Sequence, residues 1–146
     1  MSGEINQTLL SFGYPRTLLK EYPHWCVLVR QQHVTLGSLV LVSKSFETNF
    51  SDLPSEAFEE LHEVIKDIET NLKAHFDYEK VNYLMLMMVD PHVHYHVIPR
   101  YSNSRELFGK QHLDGGWPGL PDLSNYVELS EEEIRKLVTI LGKSWL

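Results

Sequence analysis

Apolar residues recur at different spacings along this chain, and each spacing predicts an element. Trp25 to Val29 (Trp-Cys-Val-Leu-Val) and Leu39 to Val42 (Leu-Val-Leu-Val) are short apolar runs, which predict two strands. Gly37-Ser38 stands just before the second, so Arg30 to Ser38, with His33 in it, becomes the connection of a hairpin. Phe58, Leu61, Ile65, Ile68, Leu72 and Phe76 then recur at steps of three and four with acidic and basic residues between them. That period predicts a long amphipathic helix, with Pro54 in its first turn and Asp52 as its cap. Val81 to Val89 is too short for a typical helix and predicts a strand covered on both faces. His92 to Arg100 follows as an alternating strand. Tyr101 to Tyr126 contains four glycines and no clear period, which marks a binding loop, a lid or an interface arm. Ser130 with Glu133 three residues on is a capping box, and it opens a last helix reaching about Leu141. This order of elements predicts one α+β domain over residues 1–146 with a mainly antiparallel sheet.

Composition narrows the class. The 146 residues carry 13 Lys+Arg against 20 Asp+Glu, a net charge of −7, which argues against binding a nucleic-acid polymer. The 42% hydrophobic content suits a globular core. Cys26 is the single cysteine, so no internal disulfide and no cysteine-based zinc cluster is expected. The opening Met-Ser-Gly-Glu-Ile-Asn lacks a basic, then apolar, leader, and no apolar run approaches the ~18 residues of a membrane span. The expectation is a soluble, cytoplasmic, single-domain protein with no membrane partner.

The chemistry concentrates in Pro91-His-Val-His-Tyr-His-Val-Ile-Pro-Arg100. On a strand, His92, His94 and His96 share one face, and Val93, Tyr95 and Val97 take the other, against the core. Three readings stand. The histidines could be solvated surface residues. They could bind a metal, although Cα atoms of His92 and His96 lie ~13 Å apart on a straight strand, so only two neighbours could share one ion. They could also be a nucleophile with attendants: the middle imidazole attacks phosphorus while its neighbours steady the phosphoryl oxygens and the departing atom. That chemistry calls for no metal and no cofactor.

His92-Val-His-Tyr-His-Val-Ile98 resembles the signature of the histidine triad superfamily of nucleotide hydrolases and transferases. Pro99-Arg100-Tyr101 is similar to its branch related to diadenosine polyphosphate hydrolases. Trp25 to Lys44, Ser51-Asp52-Leu53 and Lys80-Val-Asn82-Tyr resemble further family segments, so the likeness spans roughly residues 22 to 101. The resemblance implies a five-stranded antiparallel sheet and a homodimer. It implies that His94 is the nucleophile, His96 contacts the scissile region and His92 steadies the transferred phosphate. The reaction it implies is attack at the α-phosphorus of a nucleoside phosphoramidate or dinucleoside polyphosphate through a nucleotidyl-histidine. Three positions depart from the pattern. Ser38 follows Gly37 where many members have His, Arg30 stands where a ribose-binding Asp or Asn is common, and Met88 falls where the related branch holds phosphate with Asn.

An acidic chain needs local positive charge to hold a nucleotide, and Arg30, Lys44, Arg100 and Arg105 are the candidates. Ser38 joins Arg30, Lys44 and Arg100 as a candidate substrate-binding residue. Trp117 could stack on a base or anchor its loop, and Met85, Met87 and Met88 read as core filling. His33 reads as an exposed loop histidine, His62 and His75 as residues of the long helix, and Cys26 as a buried apolar group. Two rival functions remain open here. One is a nucleotide-binding module of the same fold without turnover. The other is a metal-binding protein using two of the triad histidines.

Overall fold

In the computed structural model, which describes residues 4–145, a short helix α1 (Gln7–Ser11) precedes the first strand β1 (Leu18–Glu21). Strand β2 (Trp25–Val29), the two-residue β3 (Gln32–His33) and β4 (Leu39–Ser43) follow. A single 3-10 turn, Phe50–Asp52, leads into the long helix α2 (Ser55–Phe76). Then come β5 (Lys80–Leu84), β6 (His94–Arg100), a small ribbon of β7 (Arg105–Leu107) and β8 (Lys110–His112), β9 (Val127–Glu128) and α3 (Glu131–Ser144). Residues 1–3, part of the opening read for a leader, and residue 146 lie outside the described residues.

The main sheet has five antiparallel strands in the order β1-β2-β4-β6-β5. Alternation gives it two faces. One face presents Trp25, Val27, Leu41 and Val97 to α2 and α3, where Ile68, Leu72, Leu137 and Leu141 close the main core. The Trp25 indole donates to the Ala57 carbonyl at 2.8 Å and ties α2 to the sheet. The other face presents Cys26, Leu28, Val40 and Val42 to Leu9 of α1, which forms a second, smaller apolar cluster. Gly37 sits at φ +88° in the turn before β4, and a Cβ there would meet the Phe76 ring at 2.9 Å.

Several expectations need correction. Asp52 does not cap α2; Pro54 occupies the cap position, without a side-chain bond, and Asp52 instead accepts from Asn49. Phe58 of that helix is exposed and rests on Phe50, because the buried stripe runs through Ala57, Val64, Ile68 and Leu72. The strand foreseen over Val81 to Val89 ends at Leu84. The chain must there leave the edge of the sheet to cross back to β6, so Leu86, Met88 and Val89 are exposed, Met88 by 86%. Core filling therefore holds for the partly buried Met85 and Met87 and fails for Met88. The stretch 101–126 is not structureless, since it contains the β7–β8 hairpin. The capping box is present in full: Ser130 Oγ accepts from the Glu133 amide, and Glu133 Oε1 accepts from the Ser130 amide. Among the described residues no helix is long and apolar enough to cross a membrane.

Candidate active site

β6 places two of the three histidines. His94 pairs with Val42 and His96 with Val40, so both imidazoles stand on the face that α1 covers. His92 precedes the strand, two residues before its start, and is half-buried beside the Phe46 ring. Val93 and Val97 are buried in the main core and Tyr95 packs against it, as alternation requires.

These are not solvated surface histidines: His94 is 2% exposed and His96 7%. Their rings meet edge to face with centroids 5.1 Å apart. Phe12, just past α1, packs on both, at 5.6 Å from His94 and 5.8 Å from His96. Asn6 caps α1 and donates to the carbonyls of Ser43 and Ser45, which fixes this segment over the sheet.

Hydrogen bonds assign the imidazole protons. His94 Nδ1 lies 2.7 Å from the His92 carbonyl, which can only accept, so Nδ1 carries the proton. In the neutral ring Nε2 then keeps its lone pair and is the nucleophilic nitrogen. Thr8 Oγ1 accepts from the His92 amide at 3.1 Å and lies 3.0 Å from His92 Nδ1. When the hydroxyl gives its proton to Nδ1, the neutral His92 ring carries its own on Nε2. Burial lowers the pKa of His92 below the usual imidazole value. Burial, then the nearby Arg30 and His94 charges, bring His96 down to about 4, so His96 is neutral at pH 7. His96 Nδ1 is buried without a partner.

The other candidates divide sharply. Arg30 is 8% exposed, its Nη1 donates to the Gln32 carbonyl, and its Nε is buried without a partner. It lines a cavity of about 460 Å³ together with Phe12, Gln31, Gln32, Asp90 and Glu128. The triad imidazoles do not line that cavity; Phe12 stands between. Lys44 lines a different cleft, pairs with Glu21 at 2.8 Å and donates to the Tyr22 carbonyl. Ser38 is fully buried and spends its hydroxyl on the Thr35 backbone, closing the turn before β4. Arg100 grips Asp114 with Nε at 2.7 Å and Nη2 at 3.1 Å and donates to Asn82, so it anchors the 101–126 segment to the sheet. Arg105 donates to the Phe76 and Asp77 carbonyls. Trp117 faces a groove of about 1020 Å³ along β5, the edge strand.

His33 is not an exposed loop histidine. It is fully buried, its Nε2 accepts from the Gly37 amide at 2.9 Å, and its Nδ1 donates to the Arg30 carbonyl at 2.9 Å. Burial takes its pKa down to about 4. Cys26 is buried, with its thiol pushed up to about 12, which fits the inert apolar reading. Thr8 and Phe12 are the site residues that sequence reasoning missed. The available signal was Asn6 as a cap before Leu9 and Leu10, but five residues are too few to show a period.

The HIT domain model matches residues 14–103. The chain belongs to the HIT (histidine triad) family. Among curated proteins, no match is found. Solved structures agree on the fold. A histidine triad protein from Sinorhizobium meliloti superposes with TM-score 0.74 at 18% identity, over 96% of this chain and 95% of that one. The diadenosine triphosphate hydrolase of Plasmodium falciparum gives TM-score 0.68 at 14% identity, over 98% and 84%. The NitFhit protein of C. elegans gives 0.66 at 18% identity; 88% of this chain aligns, covering 27% of that longer one. Within the HIT domain, the triad falls on β6 and the segment just before it. Among the described residues, no group of three or more His, Cys, Asp or Glu side chains is placed to hold a metal ion.

Proposed function

We propose that this HIT protein is a nucleotide hydrolase or nucleotidyl transferase with His94 as its nucleophile. The observation that carries the reading is the His94 Nδ1–H bond to the His92 carbonyl, which in the neutral ring leaves the Nε2 lone pair free, with the His96 imidazole alongside. Nε2 attacks the α-phosphorus of a nucleoside phosphoramidate or dinucleoside polyphosphate. The P–Nε2 bond forms as the bond to the leaving group breaks, and the leaving group takes a proton from water. The resulting cationic ring is steadied by the His92 carbonyl at its Nδ1–H. His92, held by Thr8 as an Nε2–H donor, serves the phosphoryl oxygens. His96, neutral at pH 7, donates a hydrogen bond to the departing atom rather than acting as a strong acid. Water then attacks phosphorus, the P–Nε2 bond breaks, and a nucleoside monophosphate leaves.

A specific observation favours a second reading, a binding module without turnover: Phe12 leaves His94 and His96 little exposed. One experiment separates the two. Purified, chelator-treated protein is offered adenosine 5′-phosphoramidate, with His94→Ala alongside. AMP release abolished by the substitution supports the nucleophile. No release by either protein, with a nucleoside monophosphate still raising the melting temperature, supports the module. The expected homodimer belongs to the same proposal, and sedimentation equilibrium tests it.

A further inference from the structure

Arg30 is a buried cation without a counter-ion. Among the described residues no carboxylate lies within 4.0 Å of it, although Asp90 and Glu128 line the same cavity. Asp90 is bonded to Ser11 at 2.7 Å. The Arg30 backbone is pinned from both sides, its amide donating to the Ser38 carbonyl at 3.0 Å and its carbonyl accepting from His33. The guanidinium is thus held in place while its Nε remains unused. A buried donor left unpaired is costly, and such a group calls for a missing partner.

The sheet register says where that partner sits. Leu28, Val40 and His96 form one cross-strand row, and Arg30 is one side-chain repeat further along on the same face. With ~4.8 Å between strands and ~3.3 Å rise per residue, the Cα atoms of Arg30 and His96 are about 12 Å apart, and those of Arg30 and His94 about 16 Å. Arg30 and Phe12 line one cavity, and the Phe12 ring also packs on His94 and His96, so that cavity adjoins the triad across Phe12. The transferred phosphorus belongs at His94 Nε2, so the guanidinium is placed for something else on the same molecule. The cavity of about 460 Å³ falls within the ~300–1,000 Å³ of small-molecule sites. Its two carboxylates suit sugar hydroxyl donors, whereas the forked guanidinium suits a phosphate.

Resting on the function proposed above, we infer that Arg30 forms a second anion subsite. The substrate then carries another phosphate besides the phosphoryl group that His94 receives. That phosphate is borne either on the ribose or along the polyphosphate chain. Asp90 and Glu128, which suit sugar hydroxyls in the same cavity, favour the ribose.

Calorimetric binding to the full chain carrying His94→Ala tests this with three probes: AMP, ADP and adenosine 3′,5′-bisphosphate. The expected result is a preference of about tenfold for the bisphosphate over AMP, equivalent to ~1.4 kcal/mol. Adding Arg30→Met brings the bisphosphate to within about twofold of AMP, both measured in the same variant, against the roughly tenfold preference of the parent. A preference for ADP that Arg30→Met also removes supports the subsite and assigns its phosphate to the chain. Equal affinity for the three probes, or a preference that survives Arg30→Met, overturns it. Should Arg30→Met fail to fold, Arg30→Lys keeps the charge without Nε and is expected to lose most of the preference; a full preference there overturns the forked contact. The phosphoramidate assay on the unmodified chain runs in parallel. AMP release without any second-phosphate preference sinks the subsite alone, whereas no turnover and no nucleotide binding sink both readings.

Discussion

Among the described residues two arginines lie buried, and they differ in the partners that burial gives them. Arg100, 4% exposed, meets both oxygens of Asp114 and the Asn82 amide oxygen. Arg30, 8% exposed, meets one backbone carbonyl and leaves Nε idle. A buried charge is tolerated when its partners are already in place, as at Arg100, where the pair fastens a long connection to the sheet. A buried charge with no carboxylate within 4.0 Å among the described residues, at the wall of a cavity, points to a ligand. The contrast separates structure from function in two residues of the same type.

The sharpest way to break the contrast is to remove one partner at each end. Asp114→Asn strands the Arg100 charge and is expected to cost about 3 kcal/mol of stability by urea denaturation. Arg30→Met removes no ion pair and is expected to change stability by less than about 1 kcal/mol. Similar losses from the two substitutions would erase the distinction.

Acid is the next lever, and it acts on the Arg30 end. His33 and His96 are both held near pKa 4 by burial, below the ordinary 6.5. Between those values the unfolded chain binds more protons, so stability is full above pH 6.5 and falls as pH drops towards 4. For the fully buried His33 the loss is on the order of 3 kcal/mol. Melting temperatures from pH 7.5 to 4 measure it, and His33→Gln is expected to flatten the curve. An unchanged slope in that variant would place the acid sensitivity elsewhere.

Thr8 gives the smallest and most local effect. Thr8→Val keeps the shape but frees the His92 tautomer, and kcat is expected to fall about tenfold, ~1.4 kcal/mol in the barrier, with KM little changed. Thr8→Ser restores it. Equal loss in both variants would reduce Thr8 to packing.

Much of this was legible beforehand. The strands over Trp25 to Val29 and Leu39 to Val42, the long helix and the Ser130–Glu133 box were written in local period and capping chemistry. So was the sharing of one face by His94 and His96. The strand end at Leu84 was not, because an apolar run does not say where the sheet stops needing it. Nor was α1, whose five residues show no period. His33 was misjudged because its burial depends on Gly37 and on the pairing of β3 with β9, almost a hundred residues away in the chain.

The sequence alone determined the chemistry available: three imidazoles at alternate positions, the spacing of a strand, and the capping box of the last helix. Those are short-range properties, carried by residues a few positions apart. Tertiary structure decided what each group could do with its charge and protons. Asp114 was brought to Arg100, and among the described residues no carboxylate was brought within 4.0 Å of Arg30; Thr8 was brought to His92 across 84 residues. Contacts of that range are set by how elements pack, and a residue's own neighbours in sequence do not encode them.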